Sequence, residues 1–203
     1  CTISGVEPDK LRFKLLNADE RARLGAASEE LDRLPLFLNY CSGCNFEEIR
    51  AKTMALHRRT ALDLIVIDYL NLIQINPAAR GEVRDTMDLA LGDVCRRIKN
   101  LVMEAGVAGL LAQLNRNCEA RTDHVPVMSD LRNSGEIEQI ADSIAFVYRP
   151  EHYQEYYDKT TKEDMRGVGQ LFISKNRNGA TGEVRFRYNN YLTQIFAYKN
   201  NSL

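Results

Sequence analysis

The sequence predicts an α/β domain with a mainly parallel sheet and a C-terminal antiparallel hairpin. Apolar runs that read as buried strands, such as LIVI at 64–67 and SIAFVY at 143–148, alternate with amphipathic helices. This alternation is typical of a parallel sheet covered by helices. The run EVRFRY at 183–188 instead alternates apolar and charged residues, and Asn189-Asn190 behind it favours a tight hairpin.

Helix signals are clear at three places. Asn17 and Glu20 have the spacing of a capping box, and Asn45 and Glu48 repeat it, so a helix is predicted after each asparagine. Between 83 and 105 apolar residues recur with a helical period, which predicts a long amphipathic helix that ends near Gly106.

The remaining elements are short. Strands are predicted at 36–39, 107–114 and 170–175, and a short helix is predicted at 136–141. Together with the longer elements they give the order of alternating strands and helices on which the fold class depends.

Bulk composition excludes several functional classes. The 203 residues suit one domain, and the formal net charge of −1 is unlike that of a nucleic-acid binder built on overall basicity. Any contact with nucleic acid must therefore use local groups. Five scattered cysteines do not form a secreted disulfide framework, which favours a reduced cytoplasmic location. Neither a membrane span nor a signal peptide is visible in the sequence.

Two polar residues follow predicted strands, where ligands bind in open α/β sheets. Asp68 ends LIVI and is suited to holding the water shell of a nucleotide-bound Mg²⁺, although an acid that caps the next turn would look the same. Gln113 ends AGLLA and could contact a γ-phosphate or position a water. Taken alone, a solvated strand-end residue is the simpler interpretation of Gln113.

Two further stretches carry groups that recognise phosphate. Arg132, Asn133 and Gly135 belong to a polar turn directly before a short helix, where backbone N–H groups attract anions. Lys175 and Arg177 lie two residues apart and point the same way on an extended segment, as a cluster of charged oxygens would require. A plain capped turn and a solvated basic hairpin tip are the alternatives.

The pair Cys41 and Cys44 forms a C-x-x-C motif. A structural zinc site needs a second ligand pair, and no other close Cys/His pair occurs in the sequence. Because a helix is predicted from about Asn45, a redox or metal role for the pair stays open.

Four stretches resemble one known family: LIVIDYLNLI, LLAQLNRNCEAR, SDLRNSGEIEQIADSIAFVYRPEHY and ISKNRNGATGEV. Their order and spacing are similar to those of the RecA-like motor domain of DnaB-type replicative DNA helicases, over nearly the whole chain. The resemblance implies a RecA-like P-loop NTPase core that uses ATP and Mg²⁺. It also implies a hexameric ring around single-stranded DNA in the cytoplasm at the nucleoid, with primase and a helicase loader as partners.

The resemblance implies roles for the nucleotide-site candidates. Asp68 matches the Walker B acid that supports Mg²⁺, and Gln113 matches the glutamine that senses the γ-phosphate. Lys175 and Arg177 match the basic pair that reaches the nucleotide of the neighbouring subunit, where the arginine stabilises transition-state charge.

The resemblance also implies how DNA is held. Arg132, Asn133 and Gly135 match the loop that lines the central channel and holds successive DNA phosphates. Binding of this kind uses the backbone and ignores base identity.

One expected part is absent from the sequence. The phosphate-loop pattern G-x-x-x-x-G-K-[ST] does not occur, and residues 1–16 resemble the helix that follows the family's catalytic glutamate. We therefore expect residues 1–203 to be one motor domain without its first strand, phosphate loop and catalytic glutamate. The parent protein is expected to be an ATP-dependent helicase, and this chain alone is expected not to hydrolyse ATP.

Two other interpretations remain at this stage. A RadA- or recombinase-like ATPase shares Asp68 and a strand-end glutamine, although the long stretch at 130–142 favours the helicase. A non-catalytic assembly module of the same fold would also lack a phosphate loop.

Overall fold

The computed structural model describes residues 1–41, 43–74, 83–113, 117–131, 134–189, 191 and 193–198. Contacts between residues divide the chain into two compact units. One consists of residues 1–40, 147–172 and 183–203, and the other of residues 41–146 and 173–182.

The helices are α1 Pro8–Arg12, α2 Ala18–Asp32, α3 Phe46–Thr60, α4 Val83–Ala105 and α5 Ser134–Ile140. Of these, α2 and α3 begin directly after Asn17 and Asn45, where the capping signals predict them. Asn17 Oδ1 accepts the Glu20 N–H at 2.8 Å, and Glu20 Oε2 accepts the Asn17 N–H at 3.0 Å, which completes the predicted capping box. At the end of α4, Gly106 takes a φ of +67°, a conformation that glycine adopts without steric cost. No helix in the described residues is long and apolar enough to cross a membrane.

The strands form two sheets. They are β1 Leu64–Ile67, β2 Ala108–Leu111, β3 Ser143–Tyr148, β4 Val168–Asn176, β5 Gly182–Tyr188 and β6 Ile195–Ala197. β1 and β2 pair in parallel, and the other sheet has the order β3-β4-β5-β6 with β5 and β6 antiparallel. The predicted α/β class and the C-terminal hairpin are confirmed.

Two local predictions were wrong. Residues 36–39 form no strand, because a strand needs a hydrogen-bonded neighbour and none of the described residues pairs with this segment. The hairpin is not tight, since β6 starts only at Ile195. The side chain of Asn189 closes the wider loop by accepting the N–H groups of Thr193 and Gln194 at 2.9 and 3.2 Å, and Asn190 lies outside the described residues.

The core of the second unit packs α4 against α3 and against the segment after β1. Its buried members are Phe46, Leu70, Ile73, Leu91, Val94, Cys95, Ile98 and Leu101. Ile67 of β1 and Leu111 of β2 pack on this cluster. Leu70 and Ile73 follow Asp68 in the chain, so the core fixes the backbone on both sides of that carboxylate.

The other face of the small sheet is open. Leu64 and Val66 of β1 and Leu110 of β2 are 51, 56 and 58% exposed, and Val66 lies directly opposite Leu110. β1 is therefore not the fully buried strand that its sequence predicts, because the described residues cover only one of its faces. Exposed aliphatic side chains on one face of a sheet are typical of a surface that contacts another segment or another protein.

In the first unit, polar contacts hold the segment that connects β3 and β4. Glu151 Oε2 accepts the N–H of Gly167 at 2.9 Å and the hydroxyl of Tyr188 at 3.1 Å. Arg185 of β5 donates to Asp158 and to Glu163 at 3.2 and 2.8 Å. These contacts tie the connecting segment to β5.

Candidate nucleotide and DNA site

Asp68 and Gln113 follow adjacent parallel strands. Ile67 of β1 lies opposite Leu111 of β2, so both strands end at the same edge of the sheet. Beyond that pair, the N–H of Ala112 donates to the carbonyl of Ile67 and the N–H of Leu70 donates to the carbonyl of Ala112, both at 2.9 Å. The backbone that carries Asp68 is therefore bonded on both sides to the backbone that leads into Gln113.

The surroundings of Asp68 fit a cation ligand. Its carboxylate is exposed, and no group in the described part of the chain donates a hydrogen bond to it or forms an ion pair with it. Buried Leu70 and Ile73 anchor the chain just beyond it. A carboxylate oxygen of this kind is a hard ligand that suits Mg²⁺ or its water shell. The half-buried amide of Gln113 lies one strand away.

Lys175 and Arg177 both contact the C-terminal end of α5 in the same chain. Lys175 lies in β4 and its ammonium donates to the carbonyl of Glu138. Arg177 follows β4, and its guanidinium donates to the Asp142 carboxylate at 3.0 Å and to the carbonyl of Gln139 at 2.7 Å. The carbonyls at a helix C-terminus carry partial negative charge, which explains why two cations gather there.

Asp142 connects the basic pair to α4. Its carboxylate accepts hydrogen bonds from both Lys99 and Arg177. The bond from Lys99, helped by the charges of Arg177 and Lys175, lowers the pKa of Asp142 below its ordinary value. The side chains of Arg177 and Asp142 are each about half exposed, and ion pairs in such positions contribute about 0–1 kcal/mol. Arg177 can therefore leave Asp142 at small cost.

The predicted DNA loop is only partly described. Arg132 and Asn133 lie outside the described residues. Gly135 lies in the first turn of α5 and is exposed, with open space where a Cβ would be.

The segment before that loop is held by a buried carboxylate. Asp130 accepts the guanidinium of Arg121 at 2.8 Å and the N–H of Val127 at 2.8 Å. Asn117 donates to the Asp130 carbonyl, also at 2.8 Å. These contacts fix the chain up to Leu131, immediately before the loop.

Sequence reasoning missed two residues at this site, Asp142 and Asp130. Asp142 follows a short helix in the sequence, and nothing in its spacing indicates that it pairs with Lys99 and Arg177. Asp130 and Arg121 are nine positions apart in a stretch without periodicity, so their ion pair has no sequence signal either.

Comparison with known proteins gives consistent results. The family described as DnaB-like helicase C terminal domain matches residues 1–197. The chain is 34% identical to the replicative DNA helicase DnaC of Bacillus subtilis (strain 168) over 189 residues, which cover 93% of this chain and 39% of that protein. It is 32% identical to the replicative DNA helicase DnaB of Buchnera aphidicola subsp. Acyrthosiphon pisum (strain APS), covering 98% of this chain and 41% of that protein.

Solved structures agree with the sequence matches. A structure described as a DnaB-like replicative helicase and its interactions with primase superposes with a TM-score of 0.81 at 25% identity, over 98% of this chain and 46% of that one. A second structure, described as an ATPase domain, superposes with a TM-score of 0.80 at 27% identity, over 98% of this chain and 68% of that one. The chain thus spans about two fifths of the length of the curated relatives.

Proposed function

We propose that this chain, which belongs to the DnaB-like helicase C-terminal domain family, is part of the motor of a replicative DNA helicase. The motor uses ATP hydrolysis to move a ring along single-stranded DNA and to unwind the duplex. The observation that carries the proposal is the position of Asp68 and Gln113 at the adjoining carboxyl ends of β1 and β2.

Asp68 and Gln113 have different roles at the nucleotide. The Asp68 carboxylate would hold the water shell of Mg²⁺, and the ion would supply positive charge that stabilises the phosphates of the nucleotide. The Gln113 amide donates towards the γ-phosphate and so distinguishes ATP from ADP. The bond from the Leu70 N–H to the Ala112 carbonyl at 2.9 Å joins the two segments, so a shift at one strand end is passed to the other.

Lys175 and Arg177 contact the nucleotide of a neighbouring copy in a homo-oligomeric, hexameric ring. For this, Arg177 exchanges Asp142 and the Gln139 carbonyl for the γ-phosphate. The weakness of half-exposed ion pairs supports such an exchange. A bidentate guanidinium–phosphate contact is a strong charge-assisted pair, which offsets the two contacts that Arg177 gives up.

DNA is held by Arg132, Asn133 and the backbone around Gly135. The hydrogen bonds of Asp130 fix the chain up to Leu131, directly before these residues. With a net charge of −1, the chain holds DNA through these few phosphate contacts and not through a broad basic surface.

The open face of the small sheet supports the proposal that the phosphate loop belongs to another part of the longer protein. No G-x-x-x-x-G-K-[ST] pattern occurs in the 203 residues. In the longer protein, the segment that contains the first strand and the phosphate loop covers Leu64, Val66 and Leu110, whose exposure is otherwise costly. Together with residues 1–203 they complete one motor domain, which works in the cytoplasm at the nucleoid with primase and a helicase loader.

The test compares the full-length protein with the 203-residue chain in the same DNA-stimulated ATPase assay. The full-length protein is expected to hydrolyse ATP with Mg²⁺, to speed up with single-stranded DNA and to unwind a forked duplex. The 203-residue chain, shown by circular dichroism to be folded, is expected to give no turnover above the background without protein. Magnesium-dependent turnover by the short chain would contradict the proposal, and a full-length protein without turnover would identify a non-catalytic assembly module.

A further inference from the structure

The C-x-x-C turn before α3 is not used by the helicase mechanism. Cys41 and Cys44 are joined in a disulfide with their Cα atoms 5.7 Å apart, inside the usual range for disulfides. We propose that Cys41 and Cys44 form a redox-responsive pair, which switches between disulfide and dithiol and thereby controls the turn packed against the segment after Asp68. The assignment rests on this turn alone and stands whether or not the chain is a helicase motor.

A purely structural disulfide is a poor explanation for so short a loop. A disulfide stabilises a fold mainly by restricting the unfolded chain, and that effect is smallest when the two cysteines are close in sequence. Cys41 and Cys44 enclose two residues. Short C-x-x-C loops at helix starts are instead where exchangeable dithiols occur.

Charge around the two sulfurs favours exchange at Cys41. The ammonium of Lys52 donates to the Cys41 Sγ at 3.7 Å and stabilises negative charge on that sulfur. The 15-residue helix α3 starts two positions after Cys44 and adds the positive end of its dipole. The Glu48 carboxylate, within 4.8 Å of both sulfurs, acts in the opposite direction.

Access to the two sulfurs is unequal. Cys44 is buried, and Cys41 is only half-buried. An external thiol therefore reaches Cys41 first, while Cys44 is the partner that closes or opens the bond.

The turn touches the segment that follows Asp68. The carbonyl of Cys44 accepts the Gln74 N–H at 2.9 Å, and Asn45 forms a parallel bridge with Gln74. Gly43 has a φ of +78°, and a Cβ there would lie 2.7 Å from the side-chain amide nitrogen of Gln74. A change in this turn is thus transmitted to the 70–74 segment, which carries the core residues next to Asp68.

A dithiol can reduce the disulfide between Cys41 and Cys44 by thiol–disulfide exchange. One thiolate of the reductant attacks Cys41 Sγ, the bond between Cys41 and Cys44 breaks, and Cys44 leaves as a thiolate that takes up a proton. The second thiol of the reductant loses its proton and attacks the reductant's own sulfur in the mixed disulfide, which releases Cys41. Two electrons and two protons pass from the reductant to the pair, and the reductant ends as a disulfide.

A metal site is the competing assignment. Cys41, Cys44 and Glu48 offer three ligand atoms within 4.8 Å of one another, but a structural zinc site needs four, and the described residues offer no fourth. The ammonium of Lys52 beside Cys41 also repels a cation. Both observations favour redox exchange.

The exchange is tested by thiol trapping in the full-length protein. The protein is equilibrated in mixtures of reduced and oxidised dithiothreitol, alkylated, and analysed by peptide mass spectrometry. The Cys41/Cys44 peptide is expected to pass from no added alkyl groups to two as the mixture becomes reducing. Buried Cys95 is the internal control, since burial and the charge of Glu136 raise the pKa of its thiol to about 11 and so keep it unreactive.

Two charge variants separate redox exchange from simple exposure. Lys52→Gln is expected to slow the alkylation of reduced Cys41 at pH 7 several-fold, and Glu48→Gln is expected to leave it equal or faster. Glu48 and Lys52 are both exposed on α3, so neither substitution is expected to prevent folding. Equal rates in the wild-type protein and the Lys52→Gln variant would overturn the role of Lys52 and with it the proposal.

Hydrogen exchange tests the link to the 70–74 segment. Reduction is expected to speed exchange of the Gln74 amide about tenfold, and Cys44→Ser is expected to do the same without reductant. Cys118→Ser serves as the control for loss of a buried thiol. Unchanged protection of Gln74 on reduction, or tight one-to-one zinc binding by the reduced protein that depends on Glu48, would overturn the proposal.

Discussion

Replacing Arg177 by alanine in the full-length protein is expected to lower the rate of ATP hydrolysis about 10³-fold or more. An arginine that stabilises the charge of a transferring phosphoryl group contributes about 10³–10⁵ to the rate in known cases. Stability should hardly change, because the side chain is half exposed and its contacts with Asp142 and the Gln139 carbonyl lie at the surface. The measurement is steady-state ATP turnover with saturating single-stranded DNA, together with the free energy of unfolding.

Arg185→Ala is the matched control. Arg185 also holds several carboxylates, including Asp158 and Glu163, but it lies on β5 and has no proposed part in catalysis. Its loss is expected to leave ATP turnover within about twofold. A similar loss of turnover in both variants would mean that Arg177 acts through general stability.

Mixing two inactive variants shows whether Arg177 acts on a neighbouring copy. Arg177→Ala and Asp68→Asn subunits are each expected to be defective, but in the proposed ring a mixture of the two forms interfaces with an intact Asp68 on one subunit and an intact Arg177 on the next. Such interfaces are expected to restore measurable turnover. No restoration in rings shown to be mixed would place Arg177 and Asp68 in the same subunit's site.

Replacing Asp68 by asparagine is expected to lower ATP turnover on the order of 10²–10³-fold. The change keeps the shape of the side chain but removes the negative charge that we propose to hold the Mg²⁺ waters. Metal stabilisation of transition-state charge amounts to several kcal/mol, and each 1.36 kcal/mol is tenfold in rate. Because Asp68 is exposed and has no partner in the described residues, the free energy of unfolding should change by less than about 0.5 kcal/mol.

Asp63→Asn controls for loss of a carboxylate from the same part of the chain. Asp63 precedes the amino end of β1 and is also exposed. Its backbone carbonyl accepts the N–H of Ala108, and its side chain has no hydrogen-bond partner among the residues that the structure describes. Turnover and the Mg²⁺ concentration for half-maximal rate are measured for both variants. Normal Mg²⁺ dependence in the Asp68 variant would contradict its assignment as the metal-supporting acid.

Local sequence signals predicted most of the elements. The capping box at Asn17 and Glu20 and the helix end at Gly106 each depend on residues within a few positions of each other. Such features can therefore be predicted from the local sequence. The parallel pairing of β1 with β2 agrees with the predicted mainly parallel sheet, in which strands are joined by helices.

Features that depend on distant partners were not predictable. Residues 36–39 have the composition of a strand but no pairing neighbour among the described residues, and β1 keeps an exposed face that its apolar sequence does not reveal. The contacts of Lys175 and Arg177 with α5 depend on tertiary packing that brings positions more than 30 residues apart together. Their identity as a basic pair was visible in the sequence, whereas their partners were not.

A structure of the full-length protein with Mg²⁺, a non-hydrolysable ATP analogue and single-stranded DNA tests the proposed motor most directly. The carboxylate of Asp68 should lie within hydrogen-bond distance of a water on Mg²⁺, with the amide of Gln113 facing the γ-phosphate. Arg177 of an adjacent copy should have exchanged Asp142 for that same phosphate. A nucleotide bound away from the carboxyl ends of β1 and β2, or an Arg177 still paired with Asp142 in every copy, would contradict it.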